Sequence, residues 1–273
     1  MSDPQGRVLI IAGSDSGGGA GIQADIKAVT MLGGYAMTAV TAITVQDTRG
    51  VYGVWPVPLD AVLGQIKVTL ADIGADVIKT GMLGSVQLVE VIAEALHAGA
   101  PLTPRIIDPV MVATSGDRLV DERAIGAIRS ELIPRARLVT PNAPEAEVLT
   151  GKPVENIDGQ RRAAERLLEL GANGALVKGG HIGGPVIYDV LQTTTGEWIF
   201  ESPRIPTTST HGTGCTLASA IAALLAQGRS VPEAVEEGRD YLFGAIKAAK
   251  GFGKGHSPVH HAWRLDELEK QAR

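Results

Sequence analysis

The chain has 273 residues, of which 44% are hydrophobic and 20% are charged. Its 25 Lys and Arg against 30 Asp and Glu give a net charge of −5, without the dense basic cluster that marks nucleic-acid or anionic-membrane binding. A single cysteine, Cys215, excludes an intrachain disulfide, and no apolar run approaches the roughly 18–20 residues of a membrane span. The N-terminus lacks a signal-peptide pattern. We therefore expect a cytoplasmic protein without nucleic-acid or membrane partners.

Short β-branched segments alternate with longer segments of helical periodicity, a pattern typical of βαβ units. Strands are predicted at 8–12, 37–45, 76–80, 105–107, 138–140 and 175–178, with helices at 21–32, 59–73, 86–97, 121–132, 159–170, 213–227 and 232–250. Polar and apolar residues alternate in 186–192 and 197–201, which predicts an antiparallel hairpin. No repeat or linker interrupts the pattern, so we predict one α/β domain over 1–273. The glycine-rich segment 251–258 is interpreted as a lid or a loose tail, and its composition favours the tail.

Seven polar or glycine-rich segments follow predicted strands, namely 13–21, 46–47, 79–82, 108–110, 142–145, 178–181 and 207–215. In an open parallel sheet, ligands bind beyond the carboxyl ends of the strands, so these segments predict a site at one edge. The first matches neither G-x-G-x-x-G nor Walker A, because Ile22 stands where the third glycine belongs and no Gly-Lys-Ser/Thr follows. This argues against a dinucleotide-dependent reductase. The loop is either a flexible turn or a backbone surface that a flat ligand can approach.

The segment Thr210-His-Gly-Thr-Gly-Cys215 leads directly into an apolar helix. A Gly-x-Gly turn at a helix start directs free backbone N–H groups at one point, which suits a phosphate or the charge that develops during its transfer. At that position we expect the thiol pKa of Cys215 to lie below its usual value of about 8.5. The alternative is that Gly212 and Gly214 only end a loop and that Cys215 is a small buried residue.

Other polar residues after strands have a structural and a functional interpretation. Asn142 and Glu145 could form a capping box, or Glu145 could hold hydrated Mg²⁺. Asp108 could bind the same metal or cap a turn, and Lys178 could reach a phosphate. Gln46 can both donate and accept hydrogen bonds, as the edge of an aminopyrimidine requires.

Together these segments resemble the ribokinase superfamily, and within it the hydroxymethylpyrimidine/phosphomethylpyrimidine kinases of thiamine biosynthesis. The resemblance rests on IAGSDSGGGAGIQAD (11–25), TVQDTRG (44–50), KTGML (79–83), DPVM (108–111), SGD (115–117), TPN (140–142), KGGH (178–181), THGTGC (210–215) and GHSPVHH (255–261). Cysteine after Gly-Thr-Gly separates this family from sugar and nucleoside kinases, which usually carry aspartate there. A pyridoxal-kinase branch shares the cysteine.

The resemblance implies a three-layer α/β/α sandwich with a mostly parallel sheet, usually a homodimer, that uses ATP and Mg²⁺. It implies that Gln46, assisted by Asp25, binds the pyrimidine in a ring pocket lined by Gly13, Ala20, Met82 and Val110. It assigns catalysis to Cys215, with an anion hole formed by Gly212, Thr213 and Gly214, and it assigns ATP and Mg²⁺ to Asn142, Glu145 and Lys178. Three departures concern the nucleotide contacts: Asp47 replaces an Asn, Thr114 a Lys, and Thr208-Ser209 a Lys-Asn pair.

The expected function is ATP-dependent phosphorylation of 4-amino-5-hydroxymethyl-2-methylpyrimidine to its monophosphate and then to its diphosphate. A pyridoxal or pyridoxine kinase on the same fold is the nearest alternative, because its substrate is also a flat nitrogen heterocycle with a hydroxymethyl group. A non-catalytic vitamin or nucleotide sensor is a third. It predicts loss of the helix-start turn, of the acid near Mg²⁺ or of the thiol, all of which are present in the sequence. If Cys215 is a thiolate base, it should serve the free alcohol more than the monophosphate, whose oxygen is already anionic near neutral pH.

Overall fold

The computed structural model describes residues 5–112, 120 and 122–271. The strands are β1 (Arg7–Ser14), β2 (Tyr35–Gln46), β3 (Val51–Pro56), β4 (Val77–Thr80), β5 (Arg105–Ile107), β6 (Leu138–Val139), β7 (Gly174–Val177), β8 (Val186–Thr193) and β9 (Gly196–Pro203). The helices are α1 (Gly21–Met31), α2 (Leu59–Asp72), α3 (Val86–Gly99), α4 (Glu122–Ala127), α5 (Ala143–Thr150), α6 (Ile157–Glu169), α7 (Thr213–Ala226), α8 (Val231–Lys247) and α9 (Trp263–Gln271).

The strands form one nine-stranded sheet in the order β3-β2-β1-β4-β5-β6-β7-β8-β9. Six neighbouring strands run parallel, namely β2, β1, β4, β5, β6 and β7. At one edge β3 pairs antiparallel with β2, and at the other edge β8 and β9 continue the sheet antiparallel. The βαβ pattern therefore predicted the sheet correctly.

Alternation along the strands divides the core between the two faces of the sheet. Leu9 and Ile11 of β1 pack with α2, α3, α4, α5 and α6, whereas Val8 and Ile10 pack with α1, α7 and α8. Successive side chains of a strand point to opposite faces, so a strand covered by helices on both sides is apolar throughout. This arrangement is the expected three-layer α/β/α sandwich.

Several elements differ from the sequence-based expectations. Strand β3 and helices α5 and α9 had no predicted range, although a helix start was proposed at Asn142. The helix predicted at 121–132 is α4 followed by a π-helical turn, Ile128–Leu132, and its first residue lies outside the described part of the chain. Helix α8 ends at Lys247 rather than at residue 250. In the described part of the chain, no helix is long and apolar enough to cross a membrane.

Candidate active site

A cavity of about 660 Å³ lies at the carboxyl ends of the parallel strands. All seven polar segments that follow predicted strands contribute residues to its lining, and the helix-start segment 210–215 closes one side. The topology explains this convergence, because loops after parallel strands emerge at the same edge of a sheet.

The predicted ring pocket forms one end of the cavity. Gly13, Ala20, Gln46, Met82 and Val110 all line it. The Gln46 side chain lies beside Thr44 and His211: its Oε1 is 3.3 Å from the Thr44 hydroxyl, and its Nε2 is 3.4 Å from Nε2 of His211. Both neighbours have closer partners, since the Thr44 hydroxyl donates to the carbonyl of Ser14 at 2.9 Å and His211 Nε2 lies 2.8 Å from Asp15 Oδ2, so the amide is available to a ligand.

Asp25 is the predicted substrate contact that the structure does not bring to the cavity. It is fully buried in α1, where its Oδ1 accepts hydrogen bonds from Lys79 Nζ at 2.9 Å and from the Ser219 hydroxyl at 2.7 Å. Burial raises the pKa of this carboxyl despite the attraction of Lys79. Its place near the start of α1 directs the side chain between α7 and β4, below the cavity. The partner on the cavity wall is Lys79, to which the sequence analysis gave no role.

Asp15 organises the glycine-rich loop 13–21. Its carboxylate accepts hydrogen bonds from the backbone N–H groups of Gly17, Gly19 and Ala20 at 2.8–3.0 Å, and Nε2 of His211 lies 2.8 Å from its Oδ2. Burial alone would raise the pKa of Asp15, but the hydrogen bonds from His211 and from the backbone outweigh it, so this pKa is lowered. The loop is therefore a fixed part of the wall rather than a flexible turn. The sequence analysis assigned no role to Asp15 or to His211.

The start of α7 is a tight turn that requires glycine. Gly212 is its N-cap with φ of 79°, and a Cβ there would overlap the carbonyl oxygen of Gly19, so only glycine fits. A Cβ on Gly214 would lie 3.4 Å from Lys178 Nζ, which places that ammonium beside the first turn of α7. Thr213 stabilises the turn through a hydrogen bond from its hydroxyl to the carbonyl of Thr210 and does not line the cavity.

Cys215 lines the cavity in this first turn, but the expectation of a lowered thiol pKa is wrong. Burial raises the pKa of Cys215 to about 12, although the positive charge of Lys79 and the backbone N–H of Gly21 partly oppose the shift. Desolvation disfavours the charged thiolate more than the nearby lysine and the Gly21 N–H stabilise it. The thiol is therefore protonated at neutral pH in the ligand-free protein.

Asp108, Lys178, Glu145 and Asn142 form the other end of the cavity. Asp108 Oδ1 accepts hydrogen bonds from the Thr140 hydroxyl at 3.1 Å and from Lys178 Nζ at 3.4 Å. Its Oδ2 is buried and makes no hydrogen bond to any residue that the structure describes. This orphaned oxygen is a candidate metal ligand.

Glu145 forms the capping box with Asn142 at the start of α5, as one of its two interpretations predicted. Its Oε2 accepts from the Asn142 N–H at 2.9 Å and its Oε1 from the Met111 N–H at 3.4 Å. Each carboxylate oxygen can accept a second partner, so the cap does not prevent metal binding. Burial raises the pKa of Glu145 to about 7, with a contribution from Asp108, although Lys178 and the two N–H groups lower it.

The segment 251–258 is attached to both sides of the cavity and is not a loose tail. The backbone N–H groups of Gly255 and His256 donate to the hydroxyl and carbonyl of Thr48, and that of Ser257 donates to the carbonyl of Thr208. His256 itself lines the cavity.

Of the departures from the family pattern, Asp47 closes the turn between β2 and β3 with a 2.7 Å bond from the Arg49 N–H. Thr114 and the SGD segment at 115–117 lie outside the described residues.

The layered sheet and the position of the cavity define the class: this is an α/β kinase of ribokinase-like fold. The comparisons with known proteins identify the family. A family model described as phosphomethylpyrimidine kinase matches residues 15–260, so the chain belongs to the phosphomethylpyrimidine kinase family. The hydroxymethylpyrimidine/phosphomethylpyrimidine kinase of Streptomyces coelicolor is 47% identical over 95% of this chain and 96% of its own length.

Two solved structures have a similar fold. Bacillus subtilis pyridoxal kinase, solved as an ADP complex, superposes with a TM-score of 0.88 and 35% identity over 96% of this chain and 99% of its own. Phosphomethylpyrimidine kinase from Clostridium difficile superposes with a TM-score of 0.79 and 38% identity over 88% of this chain and 99% of its own.

Proposed function

We propose that this protein phosphorylates 4-amino-5-hydroxymethyl-2-methylpyrimidine with ATP, first to the monophosphate and then to the diphosphate, in the cytoplasm. The observation that carries the proposal is one cavity lined by the amide of Gln46, by the start of α7, and by the carboxylates of Asp108 and Glu145. The names of the relatives in sequence support the pyrimidine substrate, and the ADP complex of the pyridoxal kinase supports the nucleotide.

The substrate end is suited to a small aminopyrimidine. The amide of Gln46 presents an acceptor and a donor side by side, which matches an exocyclic amine next to a ring nitrogen. Gly13, Ala20, Met82 and Val110 supply an apolar wall for the flat ring and its methyl group. The hydroxymethyl arm would then point towards Cys215 and the first turn of α7.

The nucleotide end is suited to a triphosphate. The backbone N–H groups of Gly212 and Gly214 and the ammonium of Lys178 would bind the γ-phosphate and the charge that develops as it is transferred. Asn142, at the start of α5, also lines this end and would contact the nucleotide.

A magnesium ion fits the residues at this end. Mg²⁺ binds through one or two carboxylates together with waters and phosphate oxygens. Asp108 offers the orphaned Oδ2, and Glu145 has spare lone pairs and lies close enough for Asp108 to raise its pKa. When bound, the ion would neutralise charge on the β- and γ-phosphates. Among the described residues, no group of three or more His, Cys, Asp or Glu side chains could form a metal cage, and ATP·Mg²⁺ does not need one.

In the first step, the hydroxymethyl oxygen attacks the γ-phosphorus while the bond from that phosphorus to the β–γ bridging oxygen breaks. The hydroxyl proton passes to an oxygen of the transferred phosphoryl group, and ADP departs. We place Cys215 beside the reacting oxygen as a neutral thiol, because burial keeps it protonated in the ligand-free protein. In the second step, the attacking oxygen belongs to the monophosphate and carries little or no proton near neutral pH.

The test is a panel of acceptors with ATP·Mg²⁺ and kcat/KM for each. We expect the hydroxymethylpyrimidine and its monophosphate to exceed pyridoxal and pyridoxine by at least tenfold. A preference for the B6 compounds would identify the protein as a pyridoxal kinase instead. Nucleotide binding without transfer to any acceptor would favour a sensor.

We further propose that the protein is a homodimer formed through the β2–β3 hairpin. Ile43, Val45 and Trp55 are each about half exposed and lie on one face of it, since Ile43 pairs with Trp55 and Val45 with Gly53 in the antiparallel register. The opposite face carries the buried Thr44, which points to the cavity. A cluster of exposed β-branched and aromatic side chains on a sheet edge is typical of an interface.

Analytical ultracentrifugation of the wild-type protein and of Ile43→Glu tests the dimer. We expect the variant to be monomeric. Val68→Glu, at an exposed apolar residue of α2 outside the hairpin, is the matched control and should remain dimeric. A monomeric wild-type protein would contradict the proposal.

A further inference from the structure

Lys79 is a buried charged group that the proposed reaction leaves without a role. It lies on β4 with no exposed surface, yet its side chain reaches the floor of the cavity. Its ammonium donates to Asp25 Oδ1 at 2.9 Å and lies 3.8 Å from Asp108 Oδ2, the orphaned oxygen. One lysine thus contacts a carboxylate sealed below the cavity and a second carboxylate that lines it.

The contacts continue as a row of alternating charges. Asp108 Oδ1 accepts from Lys178 Nζ at 3.4 Å, so the order is Asp25, Lys79, Asp108, Lys178. Every member is at most 13% exposed at its side chain, so the charges interact with little solvent screening. The row runs from below the cavity to the ammonium beside the first turn of α7.

The lower end of the row is anchored. The Ser219 hydroxyl donates to Asp25 Oδ1 at 2.7 Å, one helical turn after Cys215 in α7. Lys79 itself is fixed by the backbone of β4, which pairs with both β1 and β5. The Lys79 ammonium is therefore held by rigid elements. Asp108 follows β5 in a loop, where the Thr140 hydroxyl and Lys178 both donate to its Oδ1, and the Lys79 ammonium is the cation that faces its Oδ2 at 3.8 Å.

We propose that Lys79 is a positioning residue of the phosphoryl-transfer site: anchored by Asp25, it fixes the carboxylate of Asp108, which in turn fixes the ammonium of Lys178. The proposal rests on the proposed function and adds a residue to it. The structural alternative is that Lys79 serves only to neutralise the buried Asp25.

Two variants separate these roles. Lys79→Met leaves Asp25 buried without a cation, and breaking such a pair should lower the melting temperature by roughly 10 °C. The double variant Lys79→Met/Asp25→Asn removes both charges and keeps side chains of similar size and shape. It should therefore recover most of the melting temperature that Lys79→Met loses. If Lys79 positions Asp108, the double variant should still have kcat reduced by about 10²-fold, because small displacements of catalytic groups have effects of that size. Its KM for the pyrimidine should change by less than threefold, since Gln46 is unaffected.

Thr150→Ala is the matched control, because it removes a buried hydroxyl that donates to the Ala146 carbonyl at 2.7 Å and leaves the row of charges intact. It should lower the melting temperature by a few degrees at most and keep kcat within threefold of wild type. Recovery of both stability and kcat in the double variant would overturn the proposal. Failure of the double variant to fold would also overturn it, since Lys79 would then serve the fold.

Binding of ADP·Mg²⁺, measured by calorimetry, gives a readout that does not depend on turnover. We expect the dissociation constant of the double variant to rise about tenfold, because Lys178 and Asp108 lose their fixed positions. An unchanged dissociation constant together with an unchanged kcat would contradict the role of Lys79. If the wild-type protein phosphorylates no pyrimidine, the proposed function fails, but the binding data still decide the role of Lys79.

Discussion

Replacing Glu145 with Gln removes the ionisable group whose environment is most unusual at the nucleotide end of the cavity. The carboxyl has an ordinary pKa of 4.5, which burial and the neighbouring Asp108 raise to about 7 in the folded protein. A shift of one pKa unit corresponds to about 1.4 kcal/mol, so ionised Glu145 lowers the stability of the ligand-free fold by roughly 3 kcal/mol.

The direction of the pH dependence follows from proton binding. Between pH 4.5 and pH 7 the folded state holds a proton on Glu145 that the unfolded state has released, so the free energy of unfolding falls as pH rises through this window. The glutamine of the variant does not titrate, and glutamine also serves in a capping box. The stability of Glu145→Gln relative to wild type should therefore increase by roughly 3 kcal/mol between pH 4.5 and pH 8.

Urea unfolding of the nucleotide-free proteins across this range, followed by circular dichroism, measures the difference. Glu165→Gln, at an exposed position of α6, is the matched control, and its difference from wild type should vary by less than about 0.5 kcal/mol. A gap between Glu145→Gln and wild type that does not change with pH would refute the reasoning, because it would mean that Glu145 is already ionised at pH 4.5 in the fold.

The metal role of Glu145 has a separate readout. At pH 8, Glu145→Gln should reduce kcat and raise the Mg²⁺ concentration needed for half-maximal activity, although the ligand-free variant is the more stable protein. Greater stability combined with lower activity is what a strained functional group produces. If Glu145→Gln has wild-type activity and an unchanged Mg²⁺ requirement, Glu145 serves only as a helix cap.

Three further substitutions test the other parts of the cavity. Gln46→Leu leaves the aminopyrimidine edge unpaired, at roughly 1–3 kcal/mol for each lost partner, so kcat/KM for the pyrimidine should fall about 5- to 150-fold; a change below twofold would exclude a direct contact. Cys215→Ala should reduce kcat/KM by similar factors for the alcohol and the monophosphate, because the thiol is protonated, whereas a much larger loss for the alcohol would identify a thiolate base. Gly212→Ala forces a Cβ against the Gly19 carbonyl at a positive φ and should reduce kcat by at least about 10²-fold; near-normal kcat would remove residues 212–214 from the anion hole.

Most parts of the fold that the sequence predicted are buried and have a periodic apolar pattern, and the β8–β9 hairpin was predicted from its alternation of polar and apolar residues. The parallel strands and α1, α2, α3, α6, α7 and α8 alternate along the chain with clear apolar patterns. Strand β3 was missed because it is a short edge strand with Gly53 and Pro56, and most of its side chains are exposed. Helix α9 is rich in charged residues and lies after a glycine-rich segment, so composition favoured a tail. Elements that bury little apolar surface leave little periodic signal.

The candidate site was predicted in its positions but not in its pairings. Polar residues after strands identified the cavity wall because parallel topology brings those positions to one edge. The pairs Asp15–His211 and Asp25–Lys79 join residues 196 and 54 positions apart, and no local pattern contains them. The prediction of a lowered thiol pKa for Cys215 was wrong for a related reason. The helix N-terminus is visible in the sequence, whereas the burial that outweighs it is a property of the whole fold.

The charge distribution explains why a neutral side chain suits position 215. Asp25 and Asp108 already place two buried carboxylates around Lys79, and both raise the pKa of the Cys215 thiol. Binding ATP would bring further negative charge to the first turn of α7. A third carboxylate there would be repelled by both groups and would have no cation of its own, because Lys79 is shared and Lys178 faces Asp108 and the phosphates. A neutral thiol that lines the cavity avoids this repulsion. In this cavity, the aspartate that sugar and nucleoside kinases usually carry after Gly-Thr-Gly would need a different set of neighbours.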